Sequence, residues 1–468
     1  MSLWSEFHRC LLLLRPACSR AKTFPWMALV LCGLAIRPDL WGVTSFIRAG
    51  WLREIAYRRL LHLFHTPALR LDELTRCWTR LALSLFRPVT VGACRVCIAD
   101  GLKIPKEGRK MPAVKSLHTE SQNNSKAPYI MGHSFQAISL LVHGHGKSVL
   151  AVPLASRIHE GVVFSNRDRR SLLDKMALLF LSVTPWMDGP LILVADAYYA
   201  SRKIILPLLA QNHHLVTRVR RNTVAFCPAP RVKKPRRGRP RLYGRKVGVS
   251  SLFRGQACFE TASSPVYGEE GVTIRYRAVD LLWRPVGRLV RFVLVIHPTR
   301  GKLILMASDT TLDPLTIVAL YGYRFKIEVG FKQAIHTLGA YAYHFWMSNM
   351  TPIRRGSGNQ YMHRKDEKYR EAVRRKLGAY HRHVQLGCVA QGLLQHLAVN
   401  FREPVQAGFC SWLRTLRPNR VLSEEYVAEA LRAGFPDYIA LGPNDHELKK
   451  ILSKYADRDR MPHWLKVG

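Results

Sequence analysis

The stretch Tyr321-Gly-Tyr-Arg324-Phe-Lys-Ile-Glu328-Val-Gly-Phe-Lys332 is the part of the sequence from which the rest of the fold can be placed. It interleaves apolar and polar residues without a proline, which favours a helix. Residues four apart share one face of a helix, so Glu328 would lie between Arg324 and Lys332. Tyr321 would follow one further turn back. Two interpretations fit: a surface ladder of ion pairs, or a metal-binding glutamate among groups that hold phosphates.

Two aspartates far upstream decide between these interpretations. Asp100 is predicted to end an apolar strand that begins near Ala93, and Asp196 to end another that begins near Pro190. Sites in open α/β sheets lie at the carboxyl ends of strands, so the two aspartates can converge there. Glu328, on a helix packed at the sheet edge, would add a third carboxylate. Three such groups repel one another unless they share a cation.

An all-oxygen ligand set of this kind suits Mg²⁺ or Mn²⁺. Two such ions about 3.5–4 Å apart can clamp the attacking and leaving oxygens of a phosphodiester. Each aspartate taken alone also fits a strand-end cap, but the three carboxylates together with the charge of the chain favour a catalytic site.

The charge of the chain is its most unusual bulk property. Its 468 residues include 72 Lys and Arg against 32 Asp and Glu, which gives a formal net charge of +40. This excess predicts a polyanionic partner, and double-stranded DNA is the one we expect. The longest apolar run, 26–36, is shorter than the roughly 20 residues that span a bilayer, so we expect no membrane partner and a cytoplasmic location.

The ten cysteines show no disulfide spacing and predict reduced thiols. Cys94 and Cys97 form a lone CxxC within a strand-like run, where buried thiols are favoured over a zinc site.

The chain divides into three predicted regions. Residues 1–88 read as helical, either a DNA-binding domain or a lid packed on the core. Residues 89–350 form the α/β core, interrupted by a β-rich insertion at about 220–307. Residues 351–468 form a basic, helical C-terminal region. Besides the two strands ending at the aspartates, strands are predicted at 134–142, 148–153, 215–219, 272–279, 289–297 and 302–307, and further helices at 166–183, 201–211, 384–401 and 423–433.

With these residues placed, the sequence resembles bacterial insertion-sequence transposases of the DDE superfamily. The branch it resembles has a Tyr-Arg-Glu-Lys signature and a β-strand insertion between the second aspartate and the glutamate. Local strings such as Val194-Ala-Asp-Ala-Tyr-Tyr199 also look like members of that family. The resemblance implies a ribonuclease-H-like core, two divalent ions, cleavage at the ends of the element and joining of those ends to target DNA.

Carried over to this sequence, the resemblance implies that Asp100, Asp196 and Glu328 are catalytic metal ligands. It also implies that Tyr321 and its neighbours hold backbone phosphates; these neighbours are Arg324 and Lys332. One position departs from the family pattern, because Ile335 stands where the signature has a second lysine. Trp283 in the insertion would either stack on a flipped base or pack in the core.

A proline-punctuated basic loop lies in the insertion, from Lys233 to Arg241. Four of its arginines are predicted DNA contacts, made either in the minor groove or to phosphates alone; they are Arg236, Arg237, Arg239 and Arg241.

We therefore expect a DNA transposase that is nucleoid-associated in a bacterial cell and acts as a homodimer in the complex with both element ends. Two alternatives stay open. One is a nuclease of the same fold without strand transfer, and the other is a catalytically decayed transposase that binds DNA.

Overall fold

The computed structural model describes residues 2–40, 42–119, 127–230, 241–409, 421–441, 447–457 and 459–460. This part of the chain contains thirteen α-helices: α1 Leu3–Leu13, α2 Phe24–Ile36, α3 Thr44–Ala49, α4 Ile55–His65, α5 Leu71–Leu85, α6 Leu172–Val183, α7 Arg202–Ala210, α8 Pro314–Gly322, α9 Lys326–His336, α10 Glu367–Asn400, α11 Arg402–Gly408, α12 Glu424–Leu441 and α13 Glu447–Tyr455.

The same part of the chain contains fifteen strands: β1 Thr90–Val91, β2 Cys94–Pro105, β3 Lys115–His118, β4 Tyr129–His143, β5 Val149–Ile158, β6 Val162–Val163, β7 Leu191–Ala195, β8 His214–Arg218, β9 Val224–Pro228, β10 Tyr243–Gly248, β11 Glu260–Ser263, β12 Thr273–Trp283, β13 Arg288–His297, β14 Gly301–Ala307 and β15 Gln360–Tyr361. Thirteen of them form one sheet, and β6 pairs with β15 separately.

The centre of the large sheet has the order β5-β4-β2-β7-β8. Strand β4 pairs antiparallel with both β5 and β2, whereas β7 lies parallel to β2 and β8 parallel to β7. Helix α6 connects the antiparallel part to β7, and α7 connects β7 to β8. This mixed α/β arrangement is consistent with a ribonuclease-H-like core.

Helices cover both faces of this core. On one face, α8 and α9 bury Ile317 and Ile327 against strand residues that include Ile98. On the other face, α6 buries Met176 in a cluster that includes Cys97 of β2. Because successive strand residues point to opposite faces, both faces of β2 are apolar from Val96 to Ala99. Asp100 is therefore the first polar residue after the buried run of β2.

The insertion continues the core sheet. Strand β14 pairs antiparallel with β8, and β13, β12, β9 and β10 follow outward from it. Trp283 at the end of β12 is buried in the main apolar cluster, which supports its core packing over a role in base stacking.

Helix α10 is the axis of the helical part. Its 34 residues span about 51 Å. Its N-cap is Asp366, whose side chain accepts a hydrogen bond from the Tyr369 N–H at 2.8 Å. Its Gly392 allows the ring of Trp78 from α5 to come so close that a Cβ would lie 2.1 Å from it. One buried cluster contains residues from α1, α2, α4, α5, α10 and α12. The N-terminal helices are present as predicted, while the boundaries at residues 88 and 350 stay predictions.

Helix α6 begins at Leu172 rather than at residue 166, and α10 at Glu367 rather than near residue 384. Two predicted elements near the aspartates were also wrong in detail. Strand β2 does not end at Asp100 but continues to Pro105, because β4 pairs with it as far as Gly132. The stretch 321–332 is not one helix. A 3-10 turn at Tyr323–Phe325 separates α8 from α9, so Tyr321 and Glu328 lie on different helices. No helix in the described ranges is long and apolar enough to span a bilayer.

Candidate active site

Asp100 and Asp196 occupy equivalent positions on neighbouring parallel strands. The last register pair of β2 and β7 joins Ala99 to Ala195, and each aspartate is the next residue of its strand's chain. Parallel neighbours lie about 4.8 Å apart, so the two aspartates begin a polar edge at the same level of the sheet. The structure brings the two aspartates together although 95 residues lie between them in the sequence.

Asp196 is fixed through its backbone and its side chain. The Thr217 hydroxyl on β8 donates to the Asp196 carbonyl oxygen at 2.9 Å. The Tyr321 hydroxyl donates to its carboxylate Oδ1 at 3.4 Å. Burial, followed by the charge of Asp196, raises the pKa of Tyr321, so the phenol stays a donor at neutral pH.

The side chain of Asp100 is 20% exposed. Its Oδ1 accepts the Gly101 N–H at 2.8 Å, and its Oδ2 accepts a hydrogen bond from Arg324 Nη1 at 3.0 Å. Burial raises the pKa of the Asp100 carboxyl to about 6, and the charges of Asp196 and Glu328 act in the same direction. Such a carboxylate is stabilised by additional positive charge.

Arg324 connects the third carboxylate to the first. From the 3-10 turn between α8 and α9, its Nη2 lies 2.8 Å from Glu328 Oε1 while Nη1 contacts Asp100. Glu328 is the most open of the three residues, with a side chain 55% exposed. The guanidinium thus stands as the cation between two of the three acidic groups.

The three carboxylates do not yet form a closed ligand cage. Across the residues that the structure describes, one acidic, cysteine and histidine trio has its ligand atoms all within 4.8 Å of one another: Glu6, Cys10 and His396. In that buried trio Glu6 is already hydrogen-bonded to both Arg9 and His396, which ties α1 to α10. At the edge that carries the two aspartates, the Arg324 guanidinium lies between Asp100 and Glu328 instead.

The donor set nevertheless fits a hard divalent cation. Asp100, Asp196 and Glu328 offer only carboxylate oxygens, which Mg²⁺ and Mn²⁺ prefer. Among these three residues, Asp100 is largely buried, and Arg324 does not fully offset the effect of burial on the pKa of its carboxyl. A cation bound here would favour its charged form.

One other predicted phosphate contact, Lys332, lies on the helix that carries Glu328. Lys332 is exposed on α9, one turn beyond Glu328. Ile335 is not exposed beside it. Its side chain packs against the cluster that contains Ile104 and Phe135, and it is therefore a packing residue in this structure.

Of the basic loop, only Arg241 is described: its Nε donates to the Tyr243 carbonyl at 2.7 Å. The predicted contacts Arg236, Arg237 and Arg239 lie outside the described residues.

Three residues of the site were missed in the sequence. Thr217 holds the Asp196 carbonyl, and its signal was a hydroxyl inside an apolar strand. Gly101 lacks a Cβ beside the buried Tyr199 hydroxyl, which would lie 3.7 Å from it. Lys326 lies 3.7 Å from the ring centroid of Tyr267, and so links the insertion to α9. No sequence signal points to this last contact, because Tyr267 lies in a loop.

A family model supplies the remaining information. The model described as DDE superfamily endonuclease matches residues 13–278. The chain belongs to the DDE superfamily of endonucleases. The match includes both aspartates of this DDE endonuclease and ends before Glu328, whose place in the site rests on the geometry of α9 and Arg324. No curated protein matches the chain.

Proposed function

We propose that this DDE endonuclease is a DNA transposase of the bacterial insertion-sequence type, which cuts the ends of its element and joins them to target DNA. The observation that carries the proposal is the level placement of Asp100 and Asp196 on β2 and β7, with Glu328 connected to them through Arg324. The net charge of +40 supports a DNA substrate.

Asp100, Asp196 and Glu328 would hold two divalent ions, Mg²⁺ or Mn²⁺. When bound, such ions polarise the phosphodiester and lower the pKa of the attacking water. The protein supplies the arrangement. The parallel pairing of β2 and β7 presents two carboxylates at one level, and α9 brings the third from the side.

Arg324 and Tyr321 would bind phosphates of the DNA backbone. A guanidinium held between carboxylates can turn its donors to a phosphate, for which its planar fork is well suited. The neutral Tyr321 hydroxyl is a further donor at the same place. Lys332 adds an exposed cation on the adjoining turn of α9. Together these groups would position a scissile phosphate in front of the carboxylates.

The reaction has two parts that separate the proposal from its main alternative. A transposase nicks one strand by hydrolysis, and the freed 3′-hydroxyl then attacks a second phosphodiester. A nuclease of the same fold stops after hydrolysis. A decayed transposase would bind DNA and do neither.

The test uses the full chain, Mg²⁺ and a plasmid that carries the DNA flanking this gene. A transposase gives nicks at the borders of short inverted repeats and products in which those ends are covalently joined to other DNA. Nicks without joined products support the nuclease, and duplex binding without nicks supports the decayed form. The Asp196→Asn variant is the control for contaminating nucleases, since it removes one carboxylate and preserves its shape.

The assembly and location follow from the same function. Two copies of the chain would hold the two element ends in one complex, and the protein would work on the nucleoid in the cytoplasm. Mass photometry of the chain with and without a duplex carrying one inverted repeat tests the homodimer.

A further inference from the structure

A cationic pocket lies in the insertion, on the same sheet edge as the two aspartates. We define the insertion pocket by its lining residues, which come from the turn after β8, the 3-10 segment Val249–Arg254 and β14: Arg221, Ser250, Phe253, Arg254, Lys302 and Ile304. Its volume is about 550 Å³. None of these described lining residues is acidic.

Three cations from three separate segments converge on this pocket. Arg221, Arg254 and Lys302 are all exposed, and none of them forms an ion pair with a described residue. Lys302 Nζ lies 5.5 Å from the ring centroid of Phe253, a side chain that is itself buried. Like charges brought together without a counter-charge repel one another, and an anion among them removes that cost.

The backbone holds these segments in place. The Val249 N–H donates to the Thr223 carbonyl at 3.0 Å, which docks the start of the 3-10 segment on the turn after β8. The Val219 N–H donates to the Ile304 carbonyl at 2.9 Å, which fixes the same turn against β14. The turn, the 3-10 segment and the strand that carry the three cations are therefore joined to one another by backbone hydrogen bonds.

The register relates the pocket to the active site. Ala195 of β7 pairs with Thr217 of β8, and the next residue, Arg218, pairs with Leu305 of β14. Lys302 lies three residues further along this edge and two strands across from Asp196. With about 3.3 Å per residue and 4.8 Å per strand, the backbone of Lys302 is about 14 Å from that of Asp196.

We propose that the insertion pocket holds one backbone phosphate of duplex DNA, roughly four base pairs from the phosphate that is cut, given about 3.4 Å per base pair. This inference rests on the proposed function and names a second anchoring point for its substrate. Arg221, Arg254 and Lys302 bind the phosphate oxygens, and the Ser250 hydroxyl is a further donor. The anchor fixes how far the duplex extends past the carboxylates, and thereby the register of cleavage.

The experiment measures duplex binding without catalysis. Full-length protein in EDTA is titrated into a fluorescein-labelled 30-base-pair duplex of the flanking DNA, and anisotropy is read across a series of KCl concentrations. Arg221→Ala, Arg254→Ala and Lys302→Ala are tested singly and together. The matched control is Arg245→Ala with Arg284→Ala and Arg288→Ala, three exposed cations near the β12–β13 turn, at the other end of the insertion strands.

Three cations on one phosphate behave as a unit. We expect each single variant to weaken binding about three- to tenfold, and the triple variant to weaken it less than the product of the singles. The slope of log affinity against log salt should fall by about 0.9, the value for one phosphate. The control variant should change affinity less than the pocket triple variant.

Other outcomes overturn the proposal. An equal loss in the control variant would show a general charge effect. If the salt slope of the triple variant falls by about 2.7, the value for three phosphates, each cation binds a separate phosphate. If pyrophosphate raises the Tm of the wild type but not of the triple variant while duplex affinity is unchanged, the pocket takes free phosphate. Wild-type binding that the triple variant retains in full overturns only this inference, whereas absence of wild-type binding overturns the proposed function as well.

Discussion

The guanidinium of Arg324 donates to the Asp100 carboxylate at 3.0 Å across a separation of 224 residues. The same side chain contacts Glu328, so one cation neutralises parts of two carboxylates that come from a strand and a helix. The positive charge of Arg324 thus holds the two carboxylates near each other. A divalent ion would compete with the guanidinium for these carboxylates, and a phosphate would compete with the carboxylates for the guanidinium.

Replacing this cation tests its role in the metal-free protein. We expect Arg324→Gln to lower the free energy of unfolding by about 1–3 kcal/mol at pH 8 in EDTA, because Asp100 loses a half-buried partner. Mg²⁺ should raise the Tm of this variant more than that of the wild type, in which Arg324 already supplies positive charge. Thermal unfolding by circular dichroism, with and without Mg²⁺, measures both effects. An equal Mg²⁺-dependent rise in the two proteins would contradict this account, and Arg324→Lys should lie between them.

The three carboxylates make a second prediction. Asp100→Asn, Asp196→Asn and Glu328→Gln should each reduce Mg²⁺-dependent nicking at least about 100-fold, since each removes charge from the place where the transition state is stabilised. Duplex affinity in EDTA should be retained, because no cation is lost. Nicking of the flanking-DNA plasmid and anisotropy give the two readouts. A variant that nicks at the wild-type rate is not missing a metal ligand.

Ile335 stands where the resembling family has a lysine, and its packing decides what a lysine would do there. Ile335→Lys should lower the free energy of unfolding by about 1–3 kcal/mol without faster nicking, because the side chain packs against the cluster of Ile104 and Phe135. Ile335→Val is the matched control and should cost about 0.5–1.5 kcal/mol. Faster nicking by the lysine variant would show that a cation is wanted at this position.

Lys106 predicts a dependence of stability on pH. It is 3% exposed, its Nζ donates to the Tyr341 carbonyl at 2.5 Å, and burial lowers its pKa to about 7. In the unfolded chain a lysine titrates near 10.4. Between these values the unfolded state binds the extra proton, so raising the pH from 7 to 9.5 favours the folded state.

The comparison with Lys106→Met isolates this group from all others that titrate. The Tm of the wild type minus that of the variant should increase from pH 7 to pH 9.5. A difference that stays constant over this interval would mean that Lys106 keeps its ordinary pKa in the folded protein.

The sequence predicted most of the strands and both aspartates, because apolar runs of strand length are a local signal. It did not predict that β2 continues past Asp100. That extension depends on pairing with β4, and the sequence after Gly101 has no local pattern that indicates this pairing. Likewise, the predicted helix 321–332 is divided by a 3-10 turn, and this turn brings Arg324 to Asp100.

Tertiary relationships also decided the place of the insertion and of Ile335. Hydrophobic patterning indicated strands after β8, but only the pairing of β14 with β8 shows that they extend the core sheet. Comparison of single residues with a family signature suggested a missing cation at Ile335, whereas its surroundings are apolar. Residue types gave the chemistry of the site, and long-range packing gave its geometry.

The shared core of the N-terminal helices and α10 has a consequence for synthesis. Every residue of α2 except Trp26 is buried, and α10 is among the helices that bury it. At about 5–20 residues per second, α2 would wait on the order of 20 to 70 seconds before Asn400 is made. During that interval α2 can pack on its near neighbours α3 and α4, but the apolar surface that α10, α12 and α13 cover in the folded protein stays open. Part of the apolar surface of the nascent chain is therefore open to aggregation until these distant helices are made.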